Sequence, residues 1–216
     1  MDQNSIKKLI FNKLHICLSA DTAAFNDNEE FLDKTAKAIE AGIHILHYNP
    51  IGLRDSEALS IGKTLRQLCA FYDTLFIVQS RVDFALALNA NGVYLKENDI
   101  DIKTARKIIG YDKLIGFLAK SPKEAFDAFK NEADYLGAFL SLSDKTDKYS
   151  GFNYIEWLIS NLPMDFFVFN NINSKTIKTL CDYGIRKILI DGAFLKHKNS
   201  IEKINKYKGL LYENNY

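Results

Sequence analysis

The chain has 216 residues, of which 47% are hydrophobic and 25% are charged, and its formal net charge at pH 7 is +1. These values are typical of a globular protein with one large domain or two small ones, and they exclude a disordered tail, a collagen-like chain and a disulfide miniprotein. A nearly neutral chain also has no overall field that would favour nucleic acid or an anionic membrane as a partner.

Glycine, proline and cysteine are used sparingly. The 11 glycines and 3 prolines make up about 5% and 1.4% of the chain, against usual shares of roughly 7% and 5%. Few glycines argue against loops that enclose a phosphate with bare backbone. The 3 cysteines are far apart in the sequence, which favours a reducing compartment. No stretch approaches the roughly 18 apolar residues of a membrane span, so we expect a soluble cytoplasmic protein.

Short apolar runs of strand length alternate with longer amphipathic segments along the whole chain. The predicted strands are 14–19, 43–48, 75–80, 92–96, 114–119, 135–140, 166–169 and 187–190. The predicted helices are 29–41, 56–71, 82–89, 102–109, 122–131, 154–161, 174–183 and, near the C-terminus, 196–208. Gly42, Gly92 and Gly184 follow helix ends, where glycine suits the left-handed residue that commonly closes a helix.

Strands that alternate with helices predict a parallel sheet, and eight such units in about 200 residues predict a closed (β/α)8 TIM barrel. We expect a single domain over 1–216, with an N-terminal extension at 1–11 and a C-terminal tail at 206–216. The alternative is a doubly wound open sheet, which usually has fewer strands and a glycine-rich first turn. Because the site of such a barrel lies at the carboxyl ends of the strands, the residues that follow each strand are the functional candidates.

The order and framing of these strands resemble the thiamine phosphate synthase and TenI family over about 12–205. The resemblance rests on the segments EAG at 40–42, VDFAL at 82–86, NGVYL at 91–95 and ADYLG at 133–137. It implies a site for a thiazole phosphate and, in the synthase, for an aminopyrimidine diphosphate with Mg²⁺. The synthase joins these two molecules with loss of diphosphate, whereas the TenI branch is a thiazole tautomerase that needs neither the metal nor the diphosphate site.

The residues that hold the diphosphate in the synthase differ in this chain. The resemblance places a glutamine, an arginine and a lysine after the second strand, where His47, Asn49 and Ile51 stand. Both expected cations are therefore replaced by neutral residues, and Asn49 remains a candidate substrate contact. His47 has a suitable native pKa range for a general acid or base, so we predict a catalytic role for it. The alternative is a hydrogen-bonded histidine of the barrel interior.

Of the two metal-binding carboxylates that the resemblance implies, this chain retains one. Gln79 and Ser80 stand where an asparagine and an aspartate are expected, and Asp99 keeps the carboxylate after the fourth strand. We predict Asp99 as a catalytic group and as the candidate metal ligand, although it could instead cap the next helix. Mg²⁺ is implied only for a synthase, and no other cofactor is expected. Gln79 and Lys96 are candidate substrate contacts. The cation of Lys96, beside the altered metal position, could act on a phosphate, and the alternative is a solvated charge at the rim.

Phosphate contacts are implied near the ends of the last three strands. The paired glycines of the family's seventh strand fall on Asn170 and Asn171, and asparagine tolerates left-handed backbone better than other non-glycine residues. Gly192 and Ala193 could begin a short helix whose N-terminus binds an anion. In the charged loop at 143–148, the substrate-binding candidates are Thr146 and Lys148, and the alternative is a solvated loop.

We therefore expect a thiamine-biosynthesis protein that binds a thiazole phosphate or a similar small phosphate, with the Mg²⁺ and diphosphate residues of the synthase largely lost. One alternative is an active synthase whose diphosphate clamp is built from Arg81, Lys96 and Lys148; another is a non-catalytic regulatory or binding barrel. An active enzyme would be a tautomerase-like isomerase or a synthase-like transferase, although Phe139 and Leu140 stand where the tautomerase has its histidine. The expected partners are a small phosphorylated heterocycle and further copies of the chain.

Overall fold

The structure, a computed structural model, describes residues 11, 13, 15–142 and 150–212, and it shows a closed barrel of parallel strands. The strands are β1 (Ile16–Asp21), β2 (Ile45–Asn49), β3 (Leu75–Gln79), β4 (Gly92–Leu95), β5 (Leu114–Ala119), β6 (Tyr135–Phe139), β7 (Asp165–Phe169) and β8 (Ile188–Ile190). The helices are α1 (Asn28–Glu40), α2 (Asp55–Phe71), α3 (Val82–Ala87), α4 (Ile102–Ile109), α5 (Pro122–Lys130), α6 (Phe152–Asn161), α7 (Ser174–Asp182) and α8 (Ser200–Tyr212). Because β8 pairs with β1, the sheet has no edge, which confirms the predicted (β/α)8 barrel and excludes the open sheet.

Both ends of the described chain pack against the barrel. The last helix, α8, continues to Tyr212, into the segment that the sequence predicted to be a tail, and Tyr207 within it is buried in the core. At the other end Phe11, in the predicted extension, is only 2% exposed. Its ring centroid lies 5.3 Å from that of Tyr135 and 6.4 Å from that of Phe167. Phe11 therefore covers the end of the barrel opposite the carboxyl ends of the strands.

The interior of the barrel is filled by one inward-facing side chain from each strand. These residues are Cys17, Ile45, Ile77, Tyr94, Leu114, Tyr135, Phe167 and Leu189. Since side chains alternate between the two faces of a strand, the residues two and four positions further along also face inward. Because the described side chains fill the interior, a ligand of the barrel would lie above this layer, at the carboxyl ends of the strands.

Tyr94 occupies space that two glycines leave open, one on the adjacent strand β5 and one on β6. A Cβ atom at Gly137 would lie 1.9 Å from the hydroxyl oxygen of Tyr94, and one at Gly116 would lie 2.6 Å from its ring. The Tyr94 hydroxyl is buried and has no hydrogen-bond partner among the described residues. These glycines are thus required by close packing.

Replacing Gly137 with alanine is expected to lower the free energy of unfolding by about 1–3 kcal/mol, the usual cost of overpacking a dense core. Adding Tyr94→Phe should recover most of this loss, because it removes the oxygen atom that the new methyl group meets. Tyr94→Phe alone should be close to neutral, since a buried hydroxyl that is not hydrogen-bonded contributes little. Urea unfolding of both single variants and the double variant tests the contact. Strictly additive losses would contradict it.

The sequence also led us to expect reduced cysteines and no segment that spans a membrane. Cys17, Cys69 and Cys181 are all buried and form no disulfide. Burial raises the pKa of the Cys69 thiol to about 12, so this group stays protonated at neutral pH. Throughout the described ranges, no helix is both long enough and apolar enough to cross a membrane.

Candidate functional site

The carboxyl ends of the strands surround an opening, here called the mouth, that has a polar side and an apolar side. The residues that face it, one from each strand end in chain order, are Asp21, Asn49, Gln79, Lys96, Leu118, Phe139, Phe169 and Asp191. The apolar residues come from β5, β6 and β7, and the rings of Phe139 and Phe169 lie 5.8 Å apart. The mouth therefore presents charged and amide groups opposite an aromatic surface.

The first two strands end in a hydrogen-bonded pair. The side-chain amide of Asn49 donates to Oδ1 of Asp21. The hydroxyl group of Thr22 donates to the carbonyl oxygens of Asn49, at 3.2 Å, and Ile51, at 2.7 Å, which joins the loops after β1 and β2. A Cβ atom at Gly192 would lie 2.9 Å from the backbone nitrogen of Asp21, so only glycine fits there. Asn49, a predicted substrate contact, therefore reaches the mouth with its amide partly used by Asp21.

His47, the predicted catalytic histidine, lies below the mouth and is completely buried. Its Nε2 atom is 2.8 Å from the hydroxyl oxygen of Tyr135, and its ring centroid is 4.3 Å from that of Tyr94. Burial, and to a smaller extent the charge of Lys96, lowers the pKa of His47 to about 3. A neutral, enclosed imidazole does not reach a ligand in the mouth. This arrangement matches the alternative interpretation, a hydrogen-bonded histidine of the barrel interior.

Asp99, the other predicted catalytic residue, is held beside the polar side of the mouth. Its Oδ2 atom accepts hydrogen bonds from the Ser80 hydroxyl, at 2.7 Å, and from the backbone N–H of Lys96, at 2.8 Å. Asp101, not Asp99, caps α4, because its carboxylate accepts the backbone N–H of Thr104 at 2.9 Å. The Oδ1 atom of Asp99 accepts no hydrogen bond from the described residues, so it is available to a ligand.

The groups around Asp99 fit Mg²⁺ only as an ion that arrives with a substrate. Ser80 supplies a hydroxyl group where the sequence resemblance implies a second carboxylate, and the described part of the chain contains no cluster of three or more His, Cys, Asp or Glu side chains that could hold a metal. Mg²⁺ usually keeps several waters and is bound by one or two carboxylates together with phosphate oxygens. Asp99 with a diphosphate meets this minimum, whereas a resident ion would have too few ligands.

The charge of Arg81 is used by neighbouring carboxylates and not by the mouth. Its guanidinium group pairs with Asp83 at 2.6 Å and with Asp55 at 3.2 Å, and it lies 3.7 Å from the centre of the Phe84 ring. A guanidinium group with two carboxylate partners has little charge left for a third anion. The clamp considered for an atypical synthase therefore loses this member.

Lys96 carries a positive charge to the mouth. Its ammonium group forms no hydrogen bond or ion pair with the described residues, and its charge favours the ionised form of Asp21 and the neutral form of His47. Lys96 is therefore placed to attract a phosphate group. The other two predicted substrate contacts in this region, Thr146 and Lys148, lie outside the described residues.

Asn170 and Asn171 both adopt the left-handed backbone that the sequence allowed for them. Their φ angles are 72° and 54°, in the left-handed region. Both side-chain amides donate to the carbonyl oxygen of Leu140, at 3.1 and 2.9 Å, and so tie the end of β7 to the end of β6. The tight turn expected from the sequence is therefore present, and both side-chain amides are used within the protein.

The region after β8 is also occupied by a protein group. Gly192 begins a short 3₁₀-helix (Gly192–Lys196), and the Asp191 carboxylate caps it by accepting the backbone N–H of Ala193 at 2.8 Å. The amide of Ala193, a predicted phosphate contact, therefore already has an anionic partner. A phosphate would have to displace this carboxylate against the repulsion between like charges.

The strand ends that form this mouth are shared with known proteins. A family model described as thiamine monophosphate synthase matches residues 16–193, from the start of β1 to just past β8. The chain belongs to the thiamine monophosphate synthase family. This confirms the resemblance seen in the sequence, and it means that all eight strand ends of the mouth lie within the family match.

Two thiamine-phosphate synthases illustrate how similar this chain is to its relatives. A thiamine-phosphate synthase of Prochlorococcus marinus subsp. pastoris is 33% identical over 174 residues, which cover 79% of this chain and 50% of that protein. One of Persephonella marina is 27% identical over 178 residues, covering 81% of this chain and 85% of that protein. The chain spans about half the length of the cyanobacterial relatives it matches.

A solved structure in the family has the same overall architecture. The thiamine phosphate pyrophosphorylase of Pyrococcus furiosus matches with a TM-score of 0.82 and 28% identity, covering 94% of this chain and 98% of that one. The agreement over nearly the full length of both chains shows that the two proteins share the barrel architecture.

The structure also brings one residue to the mouth that sequence reasoning left without a role. Asp21 ends β1 and faces inward, as do Ser19 and Cys17, two and four positions before it. Gln79, a predicted substrate contact, faces the mouth but is buried, as Asn49 is, and its amide donates to the Ser19 hydroxyl at 2.6 Å. The signal for Asp21 was its alternation with these inward residues at a strand end.

Proposed function

We propose that the protein is a thiamine-phosphate synthase with an atypical diphosphate site. The observation that supports this most is the family match over 16–193, together with relatives that are named synthases and share the strand-end framework. In the proposed reaction, the bond between the aminopyrimidine methylene carbon and the diphosphate breaks with its electrons leaving on the diphosphate. The thiazole nitrogen then supplies the electron pair of the new bond.

The groups of the mouth suit the substrates of such a reaction. Lys96 supplies positive charge for the diphosphate, and Phe139 and Phe169 offer an aromatic surface for a flat ring. Asp99 holds one free carboxylate oxygen beside Lys96. A Mg²⁺ ion that arrived with the diphosphate and bound there would neutralise part of the charge of the leaving group.

The second candidate function is binding of a thiazole phosphate without transfer. The observation that favours it is that Asn49 and Ile51 are neutral where the synthase has an arginine and a lysine. Without these cations, a diphosphate loses part of the stabilisation that makes it a good leaving group. A monophosphate needs less positive charge, and Lys96 alone suits it better.

Incubation with thiazole phosphate, aminopyrimidine diphosphate and Mg²⁺, followed by measurement of thiamine phosphate, separates the two candidates. We expect turnover that falls by about 100- to 1,000-fold in Lys96→Met, as is usual when a group that stabilises charge on the reacting group is removed. Lys120→Met is the matched control, since Lys120 is an exposed residue after β5, 3.9 Å from Glu97, and it should retain activity. Calorimetric binding of thiazole phosphate without turnover supports the second candidate. If the protein shows neither turnover nor binding, both candidates are rejected.

A further inference from the structure

Asp21 occupies a built position at the mouth. It is the last residue of β1, its side chain is only partly exposed, and its backbone passes so close to Gly192 that no side chain fits between them. Thr22 then fixes the loop after β1 to the loop after β2 through two hydrogen bonds. The position of the Asp21 carboxylate is therefore set by neighbouring elements and not by a mobile loop.

One oxygen of this carboxylate is held and the other is available. Oδ1 accepts the side-chain amide of Asn49, whereas Oδ2 accepts no hydrogen bond from the described residues. A carboxylate that is already oriented by one hydrogen bond loses little conformational freedom when it accepts a second one from a ligand. Asp21 is thus a preorganised acceptor for an N–H or O–H group in the mouth.

The charges around Asp21 determine which end of a ligand it can accept. Burial, and then the negative charge of Asp191 from β8, raises the pKa of Asp21, while the hydrogen bond from Asn49 and the charge of Lys96 from β4 oppose this rise. Two carboxylates on adjacent strands repel a phosphate, so a phosphate is favoured on the side of Lys96. The side of Asp21 is left for a hydrogen-bond donor.

We propose that Asp21 is the substrate-binding residue that accepts a hydrogen bond from the amino group of the aminopyrimidine. This rests on the proposed function only in taking the aminopyrimidine as a ligand. The flat ring packs against Phe139 and Phe169, its diphosphate lies toward Lys96, and its amino group donates to Oδ2 of Asp21. Asp21 thereby distinguishes an amino-substituted ring from one of the same shape that has no donor.

The test compares two ligands by calorimetry without thiazole phosphate, so that no turnover occurs. One is the aminopyrimidine diphosphate, and the other is its analogue with a methyl group in place of the amino group. The native protein is expected to bind the amino compound about 10- to 100-fold more tightly, the range for a hydrogen bond to a charged acceptor. Asp21→Ala should reduce this preference to within about 2-fold, and Asp21→Asn, which keeps a neutral acceptor, should leave an intermediate preference.

Glu97→Gln is the matched control, because it removes a negative charge from an exposed side chain that lies 3.9 Å from Lys120 and does not face the mouth. It should keep the full preference for the amino compound. A preference that survives in both Asp21 variants, or that Glu97→Gln abolishes equally, overturns the proposal, as does a native protein that binds neither ligand. If Asp21→Ala does not fold, Asp21→Asn decides alone, and an unchanged preference in it counts against a contact with Asp21.

The two proposals can fail separately. If the preference for the amino compound depends on Asp21 but no thiamine phosphate forms from the complete substrates, the proposed synthase function is rejected. The proposed role of Asp21 in recognising the amino group then stands. If the native protein forms thiamine phosphate but Asp21→Ala prefers the amino compound as strongly as the native protein does, the proposed synthase function stands. The proposed role of Asp21 in recognising the amino group is then rejected.

Discussion

Replacing Arg106 with methionine is expected to lower the free energy of unfolding by about 3–5 kcal/mol, because it removes the cation of a buried ion pair. Arg106 is only 4% exposed, and its Nη2 atom lies 2.6 Å from Oδ2 of Asp134. The same guanidinium group donates to the carbonyl oxygens of Gly110, at 3.0 Å, and Lys113, at 2.6 Å. One side chain therefore connects the end of α4 with the starts of β5 and β6, and methionine fills the space without replacing these bonds.

The matched control is Lys123→Met, which breaks an exposed pair between Lys123 and Asp127 within α5. Exposed pairs of this kind contribute about 0.3–0.5 kcal/mol, so the two losses should differ several-fold in urea unfolding. Arg106→Met combined with Asp134→Asn should be less destabilised than Arg106→Met, since the double variant no longer buries a charge that has lost its cation. Equal losses for Arg106→Met and Lys123→Met would show that the buried pair adds no stability beyond that of an exposed one.

The fold was accessible from the sequence because local patterns decide most of it. Two predicted elements, 114–119 and 102–109, coincide with β5 and α4, and most other bounds lie within about two residues. An apolar run between two amphipathic segments is a strong constraint, since a parallel strand buried on both faces has no polar position to shift into. The last helix was placed too early because Asp191 caps a separate 3₁₀-helix at Gly192–Lys196, a contact that hydrophobic spacing does not reveal.

The site could be predicted only in part from the sequence. Which residues belong to it depends on how far each lies along the barrel axis and on contacts between residues distant in the sequence. His47 and Asn49 share a face of β2, yet the first is enclosed between Tyr94 and Tyr135 while the second reaches the mouth. Strand alternation gives the face of a residue but not its depth below the opening. Arg81 was a candidate cation, and its pairing with Asp55, 26 residues away, is a tertiary contact without a sequence signal.

Replacing His47 with glutamine is expected to make the protein less sensitive to acid, by about 2 kcal/mol between pH 7 and pH 5. The pKa of His47 is about 3 in the folded protein, against an ordinary value of about 6.5 in the unfolded chain. As the pH falls below about 6.5, the unfolded chain therefore takes up a proton that the folded protein does not. The stability that His47 contributes is complete above this pH and is lost progressively toward about pH 3.

Urea unfolding of the native protein and His47→Gln at pH 7, 6 and 5 measures this difference. His15 and His44 are also buried enough for their pKa values to be lowered, but they titrate in both proteins and cancel in the comparison. His197→Gln, a change at an exposed histidine, should leave the pH dependence as it is in the native protein. If the native protein and His47→Gln lost the same amount of stability between pH 7 and pH 5, His47 would be protonated as readily in the folded protein as in the unfolded chain. An imidazole with such access to water would lie within reach of the mouth, and the catalytic role predicted for it from the sequence would then regain its physical basis.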